Sequence, residues 1–145
     1  WTNLQAALAL AQLRRVDELI RYKKWLYQEY RKHLDGVDGV TLTPSNKNVD
    51  HTYWISCVLL DPKFGRTKEE WIDRFAKMQI DIRPMFYPVS MMPPFKKYTS
   101  GKNMELVNPN AYAVSAQGLC LPNGNNLNSD DIEYICVTLK EMLAS

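Results

Sequence analysis

The feature that most constrains this chain is its opening, Thr2-Asn-Leu-Gln-Ala-Ala-Leu-Ala-Leu-Ala-Gln-Leu13, which is helical in pattern and apolar on nearly every side. Thr2 and Gln5 have the spacing of a capping box, in which a hydroxyl and an amide satisfy the first backbone donors of a helix. No Gly or Pro follows until Gly36, so the pattern predicts one helix from about Asn3 to Leu34. At about 1.5 Å per residue that helix is roughly 50 Å long. A compact chain of 145 residues has a radius of gyration of about 15 Å, hence a diameter of roughly 40 Å. The helix overruns its own domain. A helix apolar all round needs cover on every side, and left bare it is a sticky patch that monomers avoid. The expectation is that protein outside this chain, a further domain or a second subunit, covers it. The alternative is a long helix wrapped by the rest of the chain.

The length suits one domain with a genuine core. Hydrophobic residues at 46% and charged residues at 23% exclude general disorder. A net charge of +2 gives no case for nucleic acid. Arg14, Arg15, Arg21, Lys23, Lys24, Arg31 and Lys32 do gather on the first helix. Asp17, Glu18 and Glu29 interleave with them, which describes a solvated face rather than a phosphate-binding stripe. Cys57, Cys120 and Cys136 are odd in number, widely spaced and set in apolar patterns. They read as small buried hydrophobes in a reducing, cytoplasmic setting, with neither a disulfide framework nor metal-ligand spacing. No apolar run reaches membrane-spanning length and no signal peptide is visible. A chain that opens on Trp1 rather than Met reads as a piece of a longer protein.

Downstream, Val40-Thr-Leu-Thr43 is a short strand candidate, and His51 to Leu60 is the strongest one. Alternation puts Tyr53, Ile55, Cys57 and Leu59 on one face and Trp54, Val58 and Leu60 on the other. Both faces are apolar, which suggests a central strand covered on both sides. Thr67 and Glu70 form a second capping box, opening a helix through about Met78 with Trp71, Ile72, Phe75 and Met78 as its buried stripe. Ile80-Asp-Ile-Arg83 returns as a strand stopped by Pro84. After a loop rich in proline and aromatics, Asn108-Pro109 starts a short helix that Gly118 caps. Leu119-Cys-Leu121 is a brief strand, Pro122 to Asn128 a polar turn, and Ile132 to Leu143 an amphipathic helix. The fold class is α+β: a small, mostly antiparallel sheet backed by helices, with a long N-terminal helix.

No complete catalytic constellation is present. His33 lies among charges on the first helix and reads as solvent-facing. His51, beside Asp50 at a strand opening, reads as a turn residue. Gly118 and Gly124 are isolated turn glycines, not a phosphate loop. The stretch Ile82-Arg-Pro-Met-Phe-Tyr-Pro-Val-Ser-Met-Met-Pro-Pro-Phe95 is the exception. Prolines stiffen it and lower the entropy lost on binding. Its aromatics offer stacking faces, and Arg83 offers a bidentate anion donor at a strand end. The competing reading is a rigid loop whose Phe86, Tyr87 and Phe95 plug the core.

Thr2 to Leu13 resembles the motif Thr-Asn-Leu-Gln-Ala-Ala-(Ile/Leu)-Gly-x-Ala-Gln-Leu of the DegT/DnrJ/EryC1/StrS family, fold-type I pyridoxal-phosphate enzymes acting on nucleotide-linked sugars. The resemblance continues through Arg15-Val-Asp-Glu18, Tyr53-Trp54, Ile82-Arg-Pro-Met-Phe-Tyr-Pro88, Met92-Pro-Pro-Phe95 and Gly118-Leu-Cys-Leu-Pro122. The Arg-Pro-x-Phe-Tyr-Pro block with Met-Pro-Pro is most similar to the GDP-perosamine synthase branch. By this resemblance, residues 1–145 are one domain, the C-terminal small domain of a larger aminotransferase. Residues 1–35 are its linking helix and 36–145 its α+β body. The resemblance implies that the large domain holds pyridoxal 5'-phosphate through a lysine outside this chain, so the chain has no catalytic residue of its own. It implies a homodimer, and it places Arg83, Tyr87 and Ser90 near the nucleotide-sugar substrate. Ser90 stands where many relatives carry His. The implied reaction moves an amino group from glutamate to a keto-sugar. A sugar dehydratase of the same family and a self-contained, non-enzymatic α+β binding module are the alternatives.

Overall fold

The computed structural model describes residues 1–145. Helices α1 (Asn3–Leu13) and α2 (Val16–Leu34) lead into strands β1 (Val40–Leu42) and β2 (Cys57–Leu60). Helix α3 (Lys68–Lys77) and strand β3 (Arg83–Pro84) follow. Then come the short helices α4 (Lys96–Thr99) and α5 (Met104–Val107), α6 (Pro109–Gln117), strand β4 (Gly118–Cys120) and α7 (Ser129–Leu143). The four strands lie in the order β1-β2-β4-β3, every pair antiparallel. The expected fold class holds.

One face of the sheet carries the core. Val58, Leu60 and Leu119 point from it into α2 (Leu26, Tyr30, Leu34), α3 (Trp71, Phe75) and α7 (Ile132, Ile135, Cys136, Leu139). The amphipathic spacing of these three helices lets each bury one stripe. The tyrosines of α2 also hold the loops. Tyr30 donates to Pro122 O at 2.7 Å, Tyr22 to Leu127 O at 2.8 Å and Tyr27 to Thr43 O at 2.5 Å. The rings of Tyr27 and Tyr30 are buried and that of Tyr22 half-buried, while each hydroxyl donates to a loop carbonyl.

The expected single helix is two. Arg15 N–H bonds Gln12 O in a tighter turn, and the ladder restarts with Leu19 N–H on Arg15 O. Asp17 and Glu18 then occupy the first turn of α2, where the helix dipole favours negative charge, and Glu18 pairs with Arg15 at 2.8 Å. The Thr2–Gln5 capping box forms as expected, yet α1 buries none of its residues. Leu4, Leu8, Leu10 and Leu13 are all exposed, Leu8 at 61%. The rest of the chain does not wrap it.

Other expectations need correction. The strand expected over His51–Leu60 begins only at Cys57, because Tyr53 takes a left-handed φ of 50° and breaks the extended run. That conformation is held by Tyr53 N–H donating to His51 Nδ1 at 2.8 Å and by stacking on Tyr27. β2 is central, but only Val58 and Leu60 are buried; the opposite face is half covered. The strand expected over Ile80–Arg83 is only Arg83–Pro84, and Pro84 is its last paired residue, tolerated because β3 is an edge where no N–H is needed. Met78 is exposed rather than part of the α3 stripe, since the helix has ended and Gln79 turns the chain through a φ of 58°. Gly118 caps α6 as expected, its N–H donating to Val114 O, with an extended rather than a left-handed backbone. Glycine is required there by close approach, a Cβ meeting Val114 O at 2.5 Å and Met85 Cβ at 2.7 Å. His33 is half-buried rather than solvent-facing.

Candidate functional site

Two clefts open where the core helices leave the surface bare. The first is an apolar cavity of about 310 Å³ on the outer face of the sheet, with His51, Trp54, Ile55, Cys57, Met85 and Phe86 among its walls. Trp54 and Phe86 stack with ring centres 6.4 Å apart, and both remain mostly exposed. The turn presenting Trp54 is tied down, its carbonyl accepting from Asn123 Nδ2. His51 serves that turn, as its sequence position suggested, and also lines the cavity.

The second cleft, about 620 Å³, lies between the start of α3 and the α5–α6 segment, with Lys68, Tyr87, Met91, Glu105 and Tyr112 on its walls. Lys68 Nζ sits 4.1 Å from the centre of the Tyr87 ring and donates to Ser115 O at 3.2 Å. One ammonium thus ties the proline-rich segment to the end of α6 by a cation–π contact and a hydrogen bond. Ser90 Oγ and Tyr112 Oη lie 3.1 Å apart, either able to donate. Ser90 borders an adjoining opening that shares Met91, Glu105 and Tyr112 with this cleft. The arrangement offers an aromatic face, a paired hydroxyl, a cation and a carboxylate along one groove. Such a set suits a hydroxyl-rich ligand.

Tyr87 and Ser90 are therefore brought together around Tyr112. Arg83 is not with them: its guanidinium donates to the Asp81 carboxylate at 2.8 Å, both side chains well exposed, and it lines neither cleft. The core-plug reading of the aromatics is overturned, since Phe86, Tyr87 and Phe95 are all exposed. Sequence reasoning missed Lys68 and Tyr112, whose roles depend on α3 and α6 meeting the loop. It also missed the Cys57–Cys120 pair across β2 and β4, with sulfurs 3.8 Å apart. Cys57 is half-buried at the cavity wall rather than fully buried as expected. Its thiol is pushed up by its hydrogen bond with Cys120 and by burial. Cys136, isolated in the core, is pushed up to about 12, chiefly by burial.

The residues present do not by themselves make a pyridoxal-phosphate site. A lysine that condenses with an aldehyde must give up its proton, which burial promotes. The lysine that burial draws down is Lys23, and it lies on α2, donating to Asn123 O, outside both clefts. Lys68, the lysine of the second cleft, is engaged with Tyr87 and Ser115.

Residues 1–140 match the DegT/DnrJ/EryC1/StrS aminotransferase family. The chain belongs to that family. It is 32% identical over 141 residues to a GDP-perosamine synthase of Escherichia coli O157:H7, covering 97% of this chain and 36% of that protein. It is 31% identical over 135 residues to a dTDP-4-amino-4,6-dideoxy-D-glucose transaminase of Escherichia coli, covering 92% of this chain and 36% of that protein. Among solved structures, Spr1654 from Streptococcus pneumoniae in its PMP form superposes with a TM-score of 0.83 at 22% identity, over 99% of this chain and 35% of its own. Its PLP form gives the same score at 23% identity. The chain spans about a third of the length of the relatives it matches. No helix is long and apolar enough to cross a membrane.

Proposed function

We propose that residues 1–145 are the C-terminal small domain of a pyridoxal-phosphate-dependent sugar-nucleotide aminotransferase, similar in substrate to the GDP-perosamine synthases. The observation that carries this reading is the family match along nearly the whole chain, with those synthases among its relatives. The complete enzyme transfers an amino group from glutamate to a nucleotide-linked keto-sugar and works in the cytoplasm as a homodimer. The cofactor and its lysine belong to the large domain; when bound, the cofactor supplies the nitrogen carrier and electron sink.

The small domain contributes one wall of the substrate cleft. Tyr87, held by Lys68, gives the sugar nucleotide a stacking face, and the Ser90–Tyr112 pair offers a donor and an acceptor to a sugar hydroxyl. Arg83 reaches the nucleotide phosphates once it exchanges Asp81 for them. The exposed α1 fits cover by the large domain and by a second copy.

The test is the complete enzyme incubated with glutamate and a nucleotide-linked keto-sugar, with the product read by mass spectrometry. An amino sugar is expected, and Tyr87→Ala raises KM by about tenfold, as loss of a stacking contact does. Loss of water without nitrogen transfer points to the dehydratase instead. A 145-residue chain that is a well-folded monomer and binds no hydrophobic dye removes the need for a large domain.

A further inference from the structure

Cys57 on β2 and Cys120 on β4 are direct partners in the antiparallel register. Leu121 N–H donates to Ser56 O at 2.9 Å, so the ladder bonds flank the two cysteines instead of joining them. That is the narrow, non-hydrogen-bonded position, where opposing Cα atoms approach to about 4.5 Å and side chains are closest. Disulfides span Cα separations from about 4.4 Å upward. Both thiols are free, and their sulfurs already lie 3.8 Å apart. Closing them to about 2.05 Å requires side-chain rotation more than movement of the strands.

The surroundings add access. Cys57 lines the apolar cavity that opens beside Trp54 and Phe86, and Cys120 keeps 7% of its surface exposed. Cys136, by contrast, is fully buried on α7 with no sulfur partner. From this geometry we propose that Cys57 and Cys120 form a reversible disulfide in the presence of a peroxide or a low-molecular-weight disulfide, stapling β2 to β4 at the cavity wall.

With hydrogen peroxide the chemistry balances simply. The sulfur that has lost its proton attacks the peroxide O–O bond, forming S–OH and releasing hydroxide, which leaves as water with that proton. The second thiol attacks this sulfur, forming S–S and expelling hydroxide, which takes the second proton. Two thiols and one peroxide give one disulfide and two waters, the sulfurs losing the two electrons that the peroxide gains. Because the two sulfurs share a hydrogen bond, one proton can leave while the other stays between them.

The staple acts at the wall of the apolar cavity. Ser56 and Leu121 adjoin the two cysteines, and Asn123, two residues further on, already holds the Trp54 carbonyl and the Ser56 hydroxyl. Oxidation therefore fixes the segment that displays Trp54 at the cavity mouth.

The test is thiol counting and non-reducing peptide mapping on the purified protein before and after mild peroxide or oxidised glutathione. The expected result is a fall from three free thiols to one, a linked peptide pair containing Cys57 and Cys120, and recovery with dithiothreitol. Cys136→Ala should still form the link, whereas Cys57→Ala should not. Mapping of the unmodified protein stands by itself if either variant fails to fold. Three persistent thiols, a link involving Cys136, a link only between molecules, or oxidation to sulfinic acid each overturn the proposal.

Discussion

Helices α1 and α3 start alike and end in different worlds. Each opens on a threonine capping box, Thr2 with Gln5 and Thr67 with Glu70, and they are 11 and 10 residues long. Yet α3 buries Trp71 and Phe75 in the core, whereas α1, the more apolar of the two, buries nothing. Capping is a contract among four neighbouring residues and forms wherever the sequence allows it. Burial needs a second surface, and α3 finds one because its apolar residues form a stripe that joins the core cluster beside β3. The leucines and alanines of α1 surround the helix, so no single face of this chain could satisfy them.

That contrast is easiest to break in the core. Phe75→Ala, at a fully buried position, should cost about 3–5 kcal/mol by cavity formation, read from denaturant midpoints. A smaller loss would mean that α3 is no better packed than α1. Alkaline pH tests the same core through charge. Cys136 has its folded value raised to about 12 from an ordinary 9. The unfolded chain then sheds this proton first, so stability present below about pH 9 should drain away toward pH 12, and Cys136→Ala should flatten that decline. Tyr30 reinforces the trend, since burial raises its phenol as well.

Tyr30→Phe deletes the hydrogen bond to Pro122 O while keeping the ring. Leaving that carbonyl unpaired should cost about 1–3 kcal/mol in unfolding experiments. Thr67→Ala removes the α3 cap and should cost about 1 kcal/mol, because α3 is coupled to the whole core. Thr2→Ala is its mirror in α1. It should fray that helix, visible as faster amide exchange over residues 3–6, without moving the global midpoint. Smallest of all, Leu8→Ser should change the stability of this chain by less than about 0.5 kcal/mol while lowering its binding of hydrophobic dye. A large loss would show α1 to be packed after all.

Much of the fold was legible because its signals are local. Both threonine caps, the amphipathic stripes of α3 and α7 and the proline at the first position of α6 follow from spacing alone. The misreadings fell where distant residues intervene. Apolar, β-branched residues from His51 onward predicted a long strand, but stacking of Tyr53 on Tyr27 from α2 turned the first half into a bend. Ile80–Arg83 looked like a strand, yet only Arg83 and Pro84 pair with β4, at an edge that exists only once the strand order is known. At the candidate site, the proline-rich segment stood out by composition, and Tyr87 and Ser90 do share a groove region. Arg83 does not line it, because Asp81 is its nearest anion.

The sequence alone determined where α1, α3, α6 and α7 begin, which stripes are apolar, and that the opening segment exceeds what this chain can cover; these depend on residues within a few positions of one another. Tertiary structure alone decided the β1-β2-β4-β3 order, the cleft shared by Lys68, Tyr87 and Tyr112, and the facing sulfurs of Cys57 and Cys120. Contacts across 63 residues of chain are set by how the apolar stripes pack into one core, and no local pattern encodes that choice.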